Sequence, residues 1–211
     1  MTRGLLTEKK KIRNGAGRNN MQEIEAKFMD VNPDMLQKKL AQIGATKVGE
    51  FFYRRRVFDY PDWRLDKDHS WLRLRDEGDK ITLAYKKRLG VDASGQVNDT
   101  GMEEIEVLVN DFDKTAELIL KLGFIEKHFA ENRRIRWQKD GVEFDIDIFP
   151  AIPPYLEIES SSWEKVDEAI KWLDLNLADK KIFSGNQVYK IYGINVSDYT
   201  RLAFDGLVKR K

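Results

Sequence analysis

Residues 22–29 read QEIEAKFM, and charged and apolar side chains alternate one by one along this stretch. Glu23, Glu25 and Lys27 fall on one side of the alternation, and only apolar residues lie between them. Successive side chains of a β-strand point to opposite faces. The stretch is therefore predicted to form a strand with one charged face and one apolar face.

Seven further segments alternate in the same way, at residues 51–60, 70–76, 80–88, 102–109, 131–138, 141–149 and 155–159. About eight strands are enough to close a sheet into a barrel. Basic and acidic faces follow one another along the chain, and their charged positions are Arg73, Arg75, Lys86, Glu104, Glu106, Arg134, Arg136, Asp145, Asp147, Glu157 and Glu159. A half-open sheet with one solvated face is the alternative interpretation of any single strand.

Three segments have the apolar spacing and the end signals of amphipathic helices. The first begins at Asn32 before Pro33 and ends at Gly44, the second spans about residues 113–122, and the third begins at Ser161. If these helices cover the apolar faces, the charged faces must line the interior. The predicted fold is α+β, a closed eight-stranded antiparallel β-barrel with flanking helices.

The charges of this interior indicate what it would hold. Unpaired ions are costly to bury in dry surroundings, so the lining implies water, ions and a highly charged ligand. Paired carboxylates suit a hard cation such as Mg²⁺, whereas Arg and Lys in numbers suit a polyphosphate. Arg73 and Arg75 would lie about 7 Å apart along one strand, a span comparable with neighbouring phosphates.

The composition excludes several other classes of protein. The 211 residues include 37 basic and 36 acidic ones, so the formal charge of +1 gives no general case for binding nucleic acid or a membrane surface. The absence of cysteine excludes disulfides and thiolate metal sites, and the two histidines are too few for a multi-histidine zinc site. A cytoplasmic protein is expected, and a homodimer is left open.

The two ends of the chain are basic. Residues 1–20 are predicted to be a flexible basic extension, residues 21–205 the folded domain, and residues 206–211 a basic tail. The glycine-rich residues 89–101 are predicted to form a long loop, which is a candidate lid beside the interior.

Together these motifs resemble the CYTH family, also called the triphosphate tunnel metalloenzymes. The resemblance covers about residues 21–205 and rests on EIEAK at 23–27, Arg73-x-Arg75, Lys86 in AYKKR, Glu104-x-Glu106, ENRRIRW at 131–137, Asp145 in FDID and YLEIE at 155–159. It implies that Mg²⁺ or Mn²⁺ is held by Glu23, Glu25, Glu157 and Glu159. It implies that phosphate oxygens are bound by Lys27, Arg73, Arg75, Lys86, Arg134 and Lys190. Arg136 is predicted to bind phosphate as well, because it shares the charged face of its strand with Arg134.

For the reaction, the resemblance implies that Glu25, Lys27 and Asp145 are catalytic. Hydrolysis of inorganic tripolyphosphate, thiamine triphosphate or a nucleoside triphosphate is placed first, because it needs nothing beyond the charged tunnel. The alternative is a class IV adenylyl cyclase, which makes cyclic AMP and pyrophosphate from ATP and needs an adenine pocket as well. A third possibility is a polyphosphate-binding module that is not an enzyme.

Overall fold

The computed structural model describes residues 24–89, 102–182 and 185–210. The strands are β1 (Ile24–Phe28), β2 (Thr46–Asp59), β3 (Ser70–Asp76), β4 (Ile81–Arg88), β5 (Met102–Val109), β6 (Ile125–Lys139), β7 (Val142–Ile148), β8 (Tyr155–Ser160), β9 (Tyr199–Ala203) and β10 (Gly206–Lys209). The helices are α1 (Pro33–Gln42), α2 (Arg64–Lys67), α3 (Phe112–Lys121), α4 (Trp163–Trp172) and α5 (Gly185–Ile191).

All ten strands of the described residues belong to one sheet. Eight of them follow in the order β1-β8-β7-β6-β2-β3-β4-β5, and each neighbouring pair is antiparallel. Strand β9 pairs parallel to β6, and β10 pairs antiparallel to β9. The prediction of an α+β fold with an antiparallel sheet and flanking helices is confirmed.

The predicted closure of the barrel needs a correction. Within the described ranges, the end strands β1 and β5 form no hydrogen-bonded ladder with each other. The backbone N–H of Lys27 donates to the carbonyl oxygen of Lys181 at 2.8 Å, and the N–H of Lys181 donates back at 3.0 Å. The bridge uses the outward N–H and carbonyl groups of Lys27, so these two groups are not free to pair with β5. Among the described residues, hydrogen bonds do not close the sheet.

The three predicted helices form α1, α3 and α4, and their observed starts lie within two residues of the predicted ones. Asn32 caps α1 through its side chain, which accepts from Met35 N–H at 3.0 Å, and Asp111 caps α3 in the same way. The third helix is capped by Ser162, so the predicted start at Ser161 is one residue early. These caps satisfy backbone N–H groups that have no partner within the helix.

Helices cover the apolar face of the sheet in two separate cores. Leu40 of α1 and Ile170 of α4 pack with the apolar residues of β1, β6, β7 and β8. Phe112 of α3 packs with Phe58 of β2 and Leu74 of β3. Since apolar and charged side chains alternate along these strands, the charged side chains lie on the opposite face. The charged side chains of these strands therefore share one side of the sheet, which we call the interior.

The C-terminal residues form more structure than the sequence suggests. Strands β9 and β10 form a hairpin, and the boundary predicted after residue 205 falls between them. Residues of α5, including Val188 and Tyr189, pack with Tyr155 and Leu202 in a third core. No helix in the described part of the chain is long and apolar enough to cross a membrane.

Candidate active site

The acidic side of the interior lies on β1, β8 and β7, which are neighbours in the sheet. The register places Lys27 opposite Glu157, and Glu25 opposite Glu159. The ammonium of Lys27 lies 2.5 Å from Glu25 Oε1 and 3.0 Å from Glu157 Oε1. Burial alone would lower the pKa of Lys27, but the charges of Glu157 and Glu25 raise it. Lys27 is therefore a permanent internal cation between two carboxylates.

Arg134 on β6 connects three carboxylates of the same side. Its Nε and Nη2 lie 2.8 and 2.5 Å from the two oxygens of Asp147. Its Nη1 lies 2.6 Å from Asp145 Oδ2, and Nη2 lies 2.6 Å from Glu157 Oε2. Arg136 adds a second fork, with two nitrogens each 2.7 Å from an oxygen of Asp145. Since β7 lies between β6 and β8, the contact with Glu157 reaches across one strand.

Negative charge is in excess on this side. The described groups that these ion pairs connect are the acids Glu25, Glu143, Asp145, Asp147 and Glu157 and the bases Lys27, Arg134 and Arg136. Burial raises the pKa of Asp147 in spite of its contact with Arg134. Burial would also raise the pKa of Glu157, but the charges of Arg134 and Lys27 lower it. A proton or a bound cation would balance the excess.

The basic side lies on β2, β3 and β4. Arg73 and Arg75 point into the interior from β3, because Leu74 between them packs in the core under α3. Lys86 on β4 lies 2.8 Å from Glu104. Arg73 has a longer contact of 3.8 Å with Glu106, and Arg75 forms an ion pair with Glu77.

The guanidinium groups of this side repel one another. Burial, followed by the positive charges of Arg75 and Arg55, lowers the pKa of Arg73 to about 10. The carboxylates of Glu104 and Glu106 compensate only in part. Buried like charges in such an arrangement favour the binding of an anion.

Arg55 and Glu77 also face the interior, although neither residue was predicted to do so. Arg55 lies opposite Arg75 in the sheet, and its guanidinium carbon is 5.6 Å from the ring centre of Tyr53. Glu77 follows β3 in phase with Arg73 and Arg75, so the alternation could have been extended by one step to include it. Arg55 stands within a run of three arginines, where alternation gives no signal.

The remaining predicted site residues take three different positions. Lys190 is exposed on α5, whereas its neighbour Tyr189 is buried. Glu159 is half-buried beside Glu25 and Glu143 in the register of β1, β8 and β7. Glu23 lies outside the described residues, as do residues 1–20 and all of the predicted lid except Leu89.

The acidic side provides the kind of donors that a hard cation needs. Its carboxylate oxygens already surround one cation, the Lys27 ammonium. Across residues 24–89, 102–182 and 185–210, no three His, Cys, Asp or Glu side chains converge on a common point. The donor chemistry and the excess charge fit a divalent cation. The register places Glu25 opposite Glu159, and Glu157 lies two residues before Glu159 on the same face of β8.

Known proteins share this fold. A family model described as the CYTH domain matches residues 21–192. A Methanocaldococcus jannaschii protein with the provisional name adenylate cyclase is 25% identical over 186 residues, which are 87% of this chain and 97% of that protein. A Vibrio parahaemolyticus structure, also provisionally named an adenylate cyclase, has a TM-score of 0.61 at 14% identity and covers 80% of this chain and 97% of its own. A Hippeastrum protein provisionally named an adenylyl cyclase is described as having a dominant triphosphatase activity. Its structure has a TM-score of 0.51 at 16% identity, and the match covers 81% of this chain and 94% of that one.

Proposed function

The chain belongs to the CYTH domain family, and from this premise we propose that it is a divalent-cation-dependent enzyme that hydrolyses a triphosphate. One observation carries the proposal. A single interior has an acidic side with excess negative charge and, facing the same space, a basic side whose guanidinium groups repel one another. A polyphosphate that binds together with a cation would satisfy both sides.

The basic side would bind the phosphate oxygens. Arg73 and Arg75 can present planar donor forks, and Lys86 adds a point charge. Lys27 and Arg134 were predicted to bind phosphate, but their described contacts are with carboxylates. We therefore propose that these two residues first hold the acidic side in place and contribute positive charge to the bound triphosphate.

The acidic side would hold the cation through Glu25, Glu157 and Glu159, together with Glu23. When bound, Mg²⁺ or Mn²⁺ would offset negative charge on the triphosphate oxygens. Water would add to the terminal phosphorus while the bridging P–O bond breaks, which releases phosphate and a diphosphate. The proton that the water loses would pass to an oxygen of the departing diphosphate or to solvent, and Asp145 would act as a further acid near the cation.

The relatives support hydrolysis and keep one alternative open. The Hippeastrum protein, which shares the fold, is described by its triphosphatase activity, whereas the other two carry the provisional name of adenylate cyclase. Cyclisation of ATP needs a place for adenine. A cleft of about 580 Å³ is lined by Phe51, Arg54 and Glu77, among others, and the Phe51 ring stacks on Tyr53 at 6.1 Å. This cleft is the observation that favours an adenylyl cyclase. The carboxylates of the acidic side argue against a polyphosphate-binding module that is not an enzyme.

We expect Arg73→Ala and Arg75→Ala each to weaken tripolyphosphate binding about ten- to a hundredfold, or about 1.5–3 kcal/mol, because phosphate oxygens lose a charge-assisted donor. Calorimetric titration with and without Mg²⁺ measures the effect. Arg133→Ala is the matched control, since Arg133 is exposed on β6 next to Arg134. Wild-type affinity in both interior variants would exclude these arginines from the binding site.

A further inference from the structure

Three polar side chains stand directly opposite one another on β2, β3 and β4. The register aligns Arg55 with Arg75, and Arg75 with Thr82. All three face the interior, because Ile81 and Leu83 on either side of Thr82 pack toward the core under α3. Directly opposite residues in neighbouring strands have Cβ atoms about 4.5–5.5 Å apart. The three side chains therefore form one short row across the basic side.

Two members of this row have donors without an acceptor. Thr82 is 0% exposed, and its hydroxyl has no hydrogen-bond partner among the described residues. Within the same residues, Arg75 Nε also has no partner. Buried polar groups are normally paired, so each exception requires an explanation. A ligand with several acceptor oxygens would supply the missing partners.

Arg55 has the same need for an anion. Its guanidinium makes no hydrogen bond or ion pair within the described part of the chain, and it lies 5.6 and 5.9 Å from the rings of Tyr53 and Phe149. Burial, together with the charges of Arg75 and Arg134, lowers its pKa in spite of the opposing charge of Asp147. Like charges directly opposite in a sheet are destabilising.

We propose that Arg55, Arg75 and Thr82 form an oxyanion subsite that holds one phosphoryl group of the substrate. The inference rests on the proposed triphosphate binding and adds Arg55 and Thr82 to it. Guanidinium groups have only donors, and a hydroxyl can donate as well as accept. Such a row fits a tetrahedral oxyanion, whose oxygens can each accept hydrogen bonds from more than one strand.

The test uses two variants of the full chain and tripolyphosphate as the probe. Thr82→Val keeps the shape and removes only the hydroxyl, so we expect about 3- to 30-fold weaker binding. Without the anion, its melting temperature should be unchanged or higher, because an unpaired buried hydroxyl is lost. Arg55→Gln should weaken binding about ten- to a hundredfold. A purely structural role would instead lower the melting temperature without a specific loss of affinity.

Two controls carry the same substitutions outside the interior. Thr115→Val lies on α3, and Arg56→Gln lies on β2 where its side chain faces Phe112. Wild-type affinity in both Thr82→Val and Arg55→Gln would overturn the subsite and leave the proposed function standing. An equal loss in Arg56→Gln would also overturn it, because general charge would then be the cause. If the wild-type protein does not bind tripolyphosphate, both the subsite and the proposed function are overturned. If Arg55→Gln does not fold, the affinity of Thr82→Val alone decides whether the subsite stands.

Discussion

Replacement of Arg134 by Met is expected to lower the free energy of unfolding by about 3–5 kcal/mol. The arginine contacts Asp145, Asp147 and Glu157, whose side chains are only 2%, 0% and 12% exposed. Methionine keeps much of the length and apolar contact of the side chain, but it leaves these carboxylates without their shared cation. Urea unfolding at pH 8 measures the loss.

The loss should depend on pH in a defined direction. Burial already raises the pKa of Asp147, and the loss of Arg134 should raise it further, so the folded variant binds more protons than its unfolded chain. Its stability therefore falls as pH rises, and the deficit should be smaller at pH 5 than at pH 8. Arg133→Met is the control, because Arg133 is exposed and lies over Phe204. If Arg134→Met loses no more free energy of unfolding than Arg133→Met does, the ion-pair network of Arg134 contributes little to stability.

Replacement of Glu25 by Gln is expected to reduce turnover of a triphosphate on the order of a hundredfold or more. A neutral amide is a poor ligand for a divalent cation and leaves the Lys27 charge less balanced. Stability should change by about 1 kcal/mol or less, since Glu25 is 38% exposed and Lys27 retains Glu157 as a partner. Release of phosphate at saturating Mg²⁺ measures turnover.

The matched control for this variant is Glu117→Gln on the exposed surface of α3. It carries the same chemical change and should keep wild-type turnover. If Glu25→Gln also turns over at the wild-type rate, Glu25 has no part in holding the cation. If its turnover falls only together with its stability, the residue acts through packing instead.

The interior face could be predicted because a period of two is a local property of the chain. Alternation at Lys27, Arg134, Asp145 and Glu157 assigned each to the charged face, and the structure brings these four into one network. The particular contacts could not be predicted, since they depend on which strands become neighbours. Nothing local indicates that β8 and β6 flank β7 closely enough for Arg134 to reach Glu157.

Arg55 shows where the local signal fails. Arg54, Arg55 and Arg56 follow one another, so charge alone does not tell the two faces apart. The distinction is tertiary, because Arg54 and Arg56 lie over the ring of Phe112 on α3, which leaves Arg55 for the interior. Amphipathic placement of long side chains allows arginine on either face of a strand.

The free edge of the sheet and the C-terminal hairpin depend on strand pairing that the alternation of a single segment does not indicate. The bridge between Lys27 and Lys181 joins residues far apart in the chain. It pairs backbone groups on the outer edge of β1, and nothing in the alternation of residues 22–29 indicates this partner. Strand β10 consists of only four residues, and its pairing with β9 decides its structure more than its own pattern does. Short, mostly exposed strands give little alternation to detect.

Hydrolysis of a triphosphate is tested by identifying products with phosphorus NMR after the purified protein is incubated with Mg²⁺ and inorganic tripolyphosphate, and in parallel with thiamine triphosphate and ATP. We predict that at least one triphosphate is converted to phosphate and the corresponding diphosphate, and that a chelator stops the reaction. Conversion of ATP only to cyclic AMP and pyrophosphate would contradict hydrolysis in favour of the cyclase. The absence of turnover with all three substrates, in Mg²⁺ and in Mn²⁺, would contradict the proposal that the protein is a triphosphate-converting enzyme.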